Sequence, residues 1–77
     1  MITSLNALAP GDRCVVEGVT AVGQLGQRLL DLGILPGKPV LVVRDAPLFD
    51  PLYLLIDDCR VSVRREEAAQ VEVRRVE

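Results

Sequence analysis

The spacing of hydrophobic residues along this chain switches between two periods, and each switch marks an element. Over Arg13–Val19, Cys14 and Val16 alternate with Arg13, Val15 and Glu17, which predicts a strand with one face turned inward. Gly18 predicts the end of that strand or a bulge in it. From Leu25 the period lengthens. Leu25, Leu29 and Leu32 stand at i, i+4 and i+7 with Leu30 beside them, while Gln24, Gln27, Arg28 and Asp31 take the wet side of a helix. Gly26 sits inside that helix at a cost of about 1 kcal/mol relative to alanine, so packing has to hold the helix together. Gly33 occupies the place where a left-handed residue ends a helix, and Ile34 supplies the apolar contact that follows it.

Period two returns after the Pro36-Gly37 turn. Lys38–Ala46 reads as a strand apolar on both faces, with Val40 and Val42 on one and Leu41 and Val43 on the other. A corner, Ala46-Pro47-Leu48-Phe49-Asp50-Pro51, leads into Leu52–Asp58, again apolar on both sides. A two-residue step at Asp57-Asp58 reverses the chain into a strand in which Val61 and Val63 alternate with Arg60, Ser62 and Arg64. Arg65–Gln70 favours one helical turn, and Val71–Glu77 closes the chain as a strand with Val71 and Val73 inward and Glu72 and Arg74 outward. At the amino end, Ser4–Asp12 reads as a short helical turn closed by Pro10-Gly11, where proline sets φ and glycine accepts the positive φ of a type II turn. The expectation is a mainly β fold of about five short strands, with one helix between the first two and short helical turns near both ends. Bent into a small SH3-like barrel, such a sheet would hide its edges.

With 77 residues there is room for one core, so the chain is expected to be one domain over 1–77. Apolar residues make up 49% of the chain but Phe49 and Tyr53 are its only aromatics, so the core must be aliphatic. No apolar run approaches the roughly 18–20 residues of a membrane-spanning helix. The amino terminus has neither the basic segment nor the long apolar stretch of a secretory signal, and a cytoplasmic location is expected. The formal charge is -2, and Arg64-Arg65 and Arg74-Arg75 interleave with Glu66, Glu67, Glu72 and Glu77. That pattern reads as a solvated, ion-paired face and not as a nucleic-acid surface, which also wants stacking aromatics.

Candidate chemistry is sparse. The chain has no histidine, which removes imidazole-based triads and histidine zinc motifs. Cys14 and Cys59 are far apart and read as two small reduced thiols, buried or half-buried. Asp50, Asp57 and Asp58 stand at predicted corners, where aspartate is a preferred turn residue, and they are too few to cage a hard cation. Glu66 and Glu67 suit the positive end of a helical turn. Gly18, Gly23 and Gly26 lack the spacing and the Gly-Lys-Ser/Thr of a phosphate loop. No enzyme activity, cofactor or bound metal is expected.

Three stretches taken together resemble one family: "LNALAPGDRCVV" (Leu5 to Val16), "LGQRLLDLGILPGKPVLVVRDAPLFDP" (Leu25 to Pro51) and "VSVRREEAAQVEV" (Val61 to Val73). Their order and spacing are similar to the FeoA family of ferrous iron transport proteins A. The resemblance implies an SH3-like barrel and a cytoplasmic regulator or adaptor of bacterial iron uptake. The implied partner is FeoB, a membrane permease with a cytoplasmic G-protein domain. It also implies an alternative, because the same barrel forms the C-terminal domain of iron-dependent transcriptional repressors. Two positions depart from the family: Phe49 stands where glycine is frequent, and Asp57-Asp58 replace a glycine-bearing hairpin.

The doubled apolar faces then locate a candidate surface. Leu41, Val43, Tyr53 and Leu55 are expected on the face opposite Val40, Val42, Leu54 and Ile56. That face has to be covered by the helix of Leu25, Leu29 and Leu32, by a second copy of the chain, or by a partner. The expected partner-binding residues are Leu41, Val43, Leu48, Phe49, Tyr53 and Leu55, held in place by the corner residues Gly33, Pro36, Gly37, Pro47, Asp50 and Pro51.

Overall fold

The computed structural model describes residues 1–76, and Glu77, counted above among the interleaved acids, lies outside the described residues. The strands are β1 (Ile2–Ser4), β2 (Arg13–Val19), β3 (Pro39–Val42), β4 (Leu52–Ile56), β5 (Cys59–Val63) and β6 (Val71–Val76). They form one six-stranded sheet in the order β1-β6-β2-β3-β4-β5, every neighbouring pair antiparallel. Helix α1 (Gly23–Asp31) joins β2 to β3, and the one-turn α2 (Arg65–Ala68) joins β5 to β6. The mainly β, SH3-like expectation holds, with two differences. Among the described residues the ladder is open, because β1 and β5 pair only on one side each. A further strand, β1, precedes a 3-10 turn at Leu5–Ala7 where only a helical turn was expected. Ile2-Thr3-Ser4 is too short to display a period; its pairing with Arg74, Val73 and Glu72 of β6 makes it a strand.

One face of every longer strand feeds a common core. Cys14 and Val16 of β2, Val40 and Val42 of β3, and Leu52, Leu54 and Ile56 of β4 meet Val63, Val71 and Val73, all buried. Leu5, Leu8 and Ala68 close the ends of this cluster. In β2 the register against β6 shifts between Val16 and Gly18, the bulge that Gly18 predicted.

Helix α1 ends as its sequence dictates. Gly33 has φ 95, its N–H donates to the Leu30 carbonyl at 2.9 Å, and the Ile34 N–H donates to the Leu29 carbonyl at 3.1 Å. These are the two bonds of a Schellman ending, and both Leu29 and Ile34 are fully buried. Leu25 and Leu32 flank them against the core. The helix therefore packs on the inner side of the sheet and leaves the outer side uncovered.

The turns fix the strands to one another. Gly11 and Gly37 both have positive φ, as type II turns require. The Gly37 N–H reaches the Val16 carbonyl at 2.7 Å and the Gly11 N–H reaches the Val42 carbonyl at 2.8 Å, so each Pro-Gly corner clips β2 to β3. Asp57 and Asp58 have φ 51 and 65, which makes the β4–β5 connection the two-residue hairpin expected of them.

Candidate protein-docking face

The outer face is a grid set by strand register. Arg13 of β2 stands opposite Val76 of β6 and Leu41 of β3, and Leu41 stands opposite Leu55 of β4. Beside that row, Val15 pairs with Pro39. These residues line an open groove of about 550 Å³ bounded by Asp57 and Asp58 at one side. Past the other side of the row, the Val43 N–H donates to the Tyr53 carbonyl at 2.9 Å, which carries the face toward the 46–51 corner. Leu41, Val43, Tyr53 and Leu55 are all half-buried, consistent with a face that none of the described residues covers.

The corner itself stands out from the sheet. Leu48 is 64% exposed and Phe49 77% exposed, and the Asp50–Pro51 peptide is cis. Below the corner lies a second groove of about 260 Å³, lined by Val43, Ala46, Pro47, Leu52 and Tyr53 among others. The six expected docking residues thus fall into two neighbouring depressions: Leu41 and Leu55 in the larger, and Val43, Leu48, Phe49 and Tyr53 in the smaller.

What holds the corner is Arg65, a residue the sequence reading placed on a solvated ion-paired face. Its Nε donates to the Phe49 carbonyl at 2.7 Å, and its guanidinium lies 3.5 Å from the centroid of the Phe49 ring. Its backbone N–H donates to Asp50 Oδ1 at 3.0 Å, and Nη1 reaches the Asn6 carbonyl at 3.3 Å. One side chain of α2 so joins the exposed corner to the first 3-10 turn. Nothing in the local pattern pointed there, because Phe49 is 16 positions away. The Arg64-Arg65-Glu66-Glu67-Ala68 run within the family-like stretch was the one available signal. Arg65→Ala is expected to cost about 1–2 kcal/mol and to speed amide exchange across 46–51, with Arg65→Lys restoring little because lysine lacks the planar fork. Unchanged exchange in that corner would mean that Arg65 does not hold it.

Three arginines pair across elements and not with the interleaved glutamates of their own segments. Arg28 pairs with Glu67, Arg74 with Glu17 at 3.2 Å, and Arg75 with Asp12 at 3.3 Å. The Arg64 N–H donates to Glu67 Oε1 at 3.0 Å and, with Arg28, holds the Glu67 carboxyl below its usual range. Arg60 lies over the Tyr53 ring at 5.0 Å. Cys14 is buried, and burial with Asp12 nearby pushes its thiol up to about 11, so it holds almost no thiolate near neutrality. Cys59 is exposed at the start of β5, which corrects the expectation of a thiol at least half-buried: its edge strand has no neighbour to cover it. Among the described residues no group of three or more His, Cys, Asp or Glu side chains is arranged to hold a metal ion, and no helix is long and apolar enough to cross a membrane.

Residues 3–75 match the FeoA domain. A fusion of Fe(2+) transport protein A with the Fe(2+) transporter FeoB from Porphyromonas gingivalis is 45% identical over 69 residues, which is 90% of this chain but only 8% of the fusion. The solution structure of FeoA protein from Chlorobium tepidum superposes with a TM-score of 0.86 at 35% identity, covering 97% of this chain and 71% of that one. Zinc-complexed FeoA from Stenotrophomonas maltophilia, described as a procaryotic SH3 domain protein, superposes at 0.80 with 29% identity, covering 94% and 89%. The IdeR of T. acidophilum reaches 0.85 at 16% identity over 97% of this chain and 34% of that one, a likeness of fold alone. A match from the first strand to the last, on the same SH3-like sheet, fixes the lineage: this chain belongs to the FeoA domain family, which its Porphyromonas gingivalis relative links to ferrous iron transport.

Proposed function

We propose that this chain is a non-enzymatic accessory protein of bacterial ferrous iron uptake. It acts in the cytoplasm by docking on a FeoB-type permease and that permease's G-protein domain, through the outer sheet face and the Leu48-Phe49 corner. One observation carries the reading. In the relative 45% identical to this chain, transport protein A and the transporter FeoB are one polypeptide, so the two work within a tether's length of each other. The exposed apolar corner and the uncovered outer face are where such a contact would form, since contiguous apolar surface on a soluble domain usually marks a partner site. The alternative, a module acting with an iron-dependent repressor, has fold likeness alone behind it.

Titration of isotope-labelled protein with the cytoplasmic G-protein domain of a FeoB-type permease tests the proposal. Shift changes are expected at Phe49, Tyr53 and their neighbours. Their absence in the nucleotide-free, GDP-bound and GTP-analogue-bound forms alike would overturn docking on that domain.

A further inference from the structure

The edge of the sheet at β5 is self-complementary. We propose that two copies of this chain pair there, β5 against β5 in antiparallel register about a two-fold axis at Val61, so that their sheets become continuous. The inference goes beyond the permease reading and does not depend on it.

The hairpin decides which backbone groups are free. Asp57-Asp58 form its two-residue turn, so Ile56 and Cys59 exchange hydrogen bonds across it, and so do Leu54 with Val61 and Leu52 with Val63. The Tyr53 carbonyl accepts from the Val43 N–H on the opposite side of β4, in keeping with that alternation. On β5, the N–H and C=O groups of Arg60 and Ser62 therefore point away from β4, to a side where no strand lies among the described residues. Both residues are exposed. Arg64 ends the open stretch, because its N–H already donates to Glu67 Oε1.

Outward-facing residues of two such edges can meet about an axis at Ser62, at Arg60 or at Val61. An axis at Ser62 sets Arg60 against Arg64 of the second copy and calls on an Arg64 N–H that is taken. An axis at Arg60 sets that arginine against itself and Ser62 against Asp58, whose φ of 65 lies outside strand geometry. An axis at Val61 sets Arg60 against Ser62, and every outward group of both residues finds a partner. The same register brings Asp58 opposite Arg64 at both ends of the contact. Neither residue has an ion pair of its own among the described residues. Half-buried Val61 meets its own copy in a non-hydrogen-bonded pair, where side chains approach most closely, and exposed Cys59 faces Val63.

Such a pairing closes on itself, whereas β5 set against β1 of a next copy would leave an edge free at each end and run on as a filament. Contact along one short strand is small, so the dimer is weak, with a Kd of about 100 μM.

Sedimentation equilibrium of the whole chain from about 10 μM to 1 mM, beside amide exchange by NMR, tests the proposal. A monomer–dimer equilibrium is expected, with the Arg60 and Ser62 amides gaining about fivefold protection as the concentration rises. Cys59, Val61 and Val63 should be protected throughout, being bonded to β4. Ser62→Pro, which removes an outward N–H and no bond to β4, is expected to weaken dimerisation by about tenfold or more. Asp58→Asn and Arg64→Gln should each weaken it by about threefold, and added salt should act in the same direction. Should Ser62→Pro fail to fold, the exchange pattern of the unmodified chain still decides. A chain that stays monomeric at the highest concentration would overturn the proposal. So would a dimer that leaves Arg60 and Ser62 unprotected, or one unchanged in all three variants, either of which places the contact elsewhere. If the chain is monomeric and a FeoB-type permease protects Arg60 and Ser62, the edge takes a partner strand and not a second copy.

Discussion

Replacing Leu54 with alanine is expected to remove about 3–4 kcal/mol of folding stability. Leu54 is fully buried at the centre of β4, opposite Val42 on one side and Val61 on the other. Its partners belong to strands clamped by hydrogen bonds, so the surroundings can collapse only partly into the space left behind. A domain of this length holds roughly 4–11 kcal/mol in total, so the variant should retain a fraction of that and unfold at much lower urea. The m-value should stay near that of the parent, because the surface exposed on unfolding hardly changes. Leu48→Ala is the control: the same deletion at a 64% exposed position should cost less than about 0.5 kcal/mol. A Leu54 loss no larger than the Leu48 loss would contradict the placement of the core.

Gly26→Ala carries the second large effect, and its sign is the informative part. Helix propensity alone predicts a gain of about 1 kcal/mol. In the structure Gly26 is buried where α1 approaches the preceding loop, and a Cβ there would lie 2.6 Å from the Ala21 carbonyl oxygen and 3.1 Å from its carbon. The obstacle is backbone and not the far end of a flexible side chain, so relief requires the helix start to move. Leu29 is fully buried one turn later, and shifting it disturbs the core. A net loss of about 2–3 kcal/mol is expected in chemical denaturation. Gln24→Ala, on the exposed side of the same helix, should change stability by less than about 0.5 kcal/mol. A stabilised Gly26→Ala would mean that the close approach to Ala21 is absent.

The candidate docking face divides along the same line between local and distant causes. Leu41, Val43, Tyr53 and Leu55 could be assigned to one face from alternation alone, and register confirms that Leu41 and Leu55 are neighbours. Arg13, Val15, Pro39 and Val76 complete the groove, yet each reads as an ordinary strand position in its own segment. Only the pairing of β2 with both β3 and β6 brings them together.

Taken alone, the sequence determined what depends on a few adjacent residues. The Pro-Gly turns at 10–11 and 36–37, the helix stop at Gly33, the hairpin at Asp57-Asp58 and the inward face of each longer strand all follow from local backbone preference and period. The tertiary structure decided the rest. Strand β1 exists because β6 pairs with it, α1 packs inward and leaves the outer face bare, and Arg65 grips a corner distant in the chain. Gly26 changes from a liability to a requirement because Ala21 lies against it. Each of these turns on the distance between residues that local preference does not relate, and that distance is fixed only when the whole core closes.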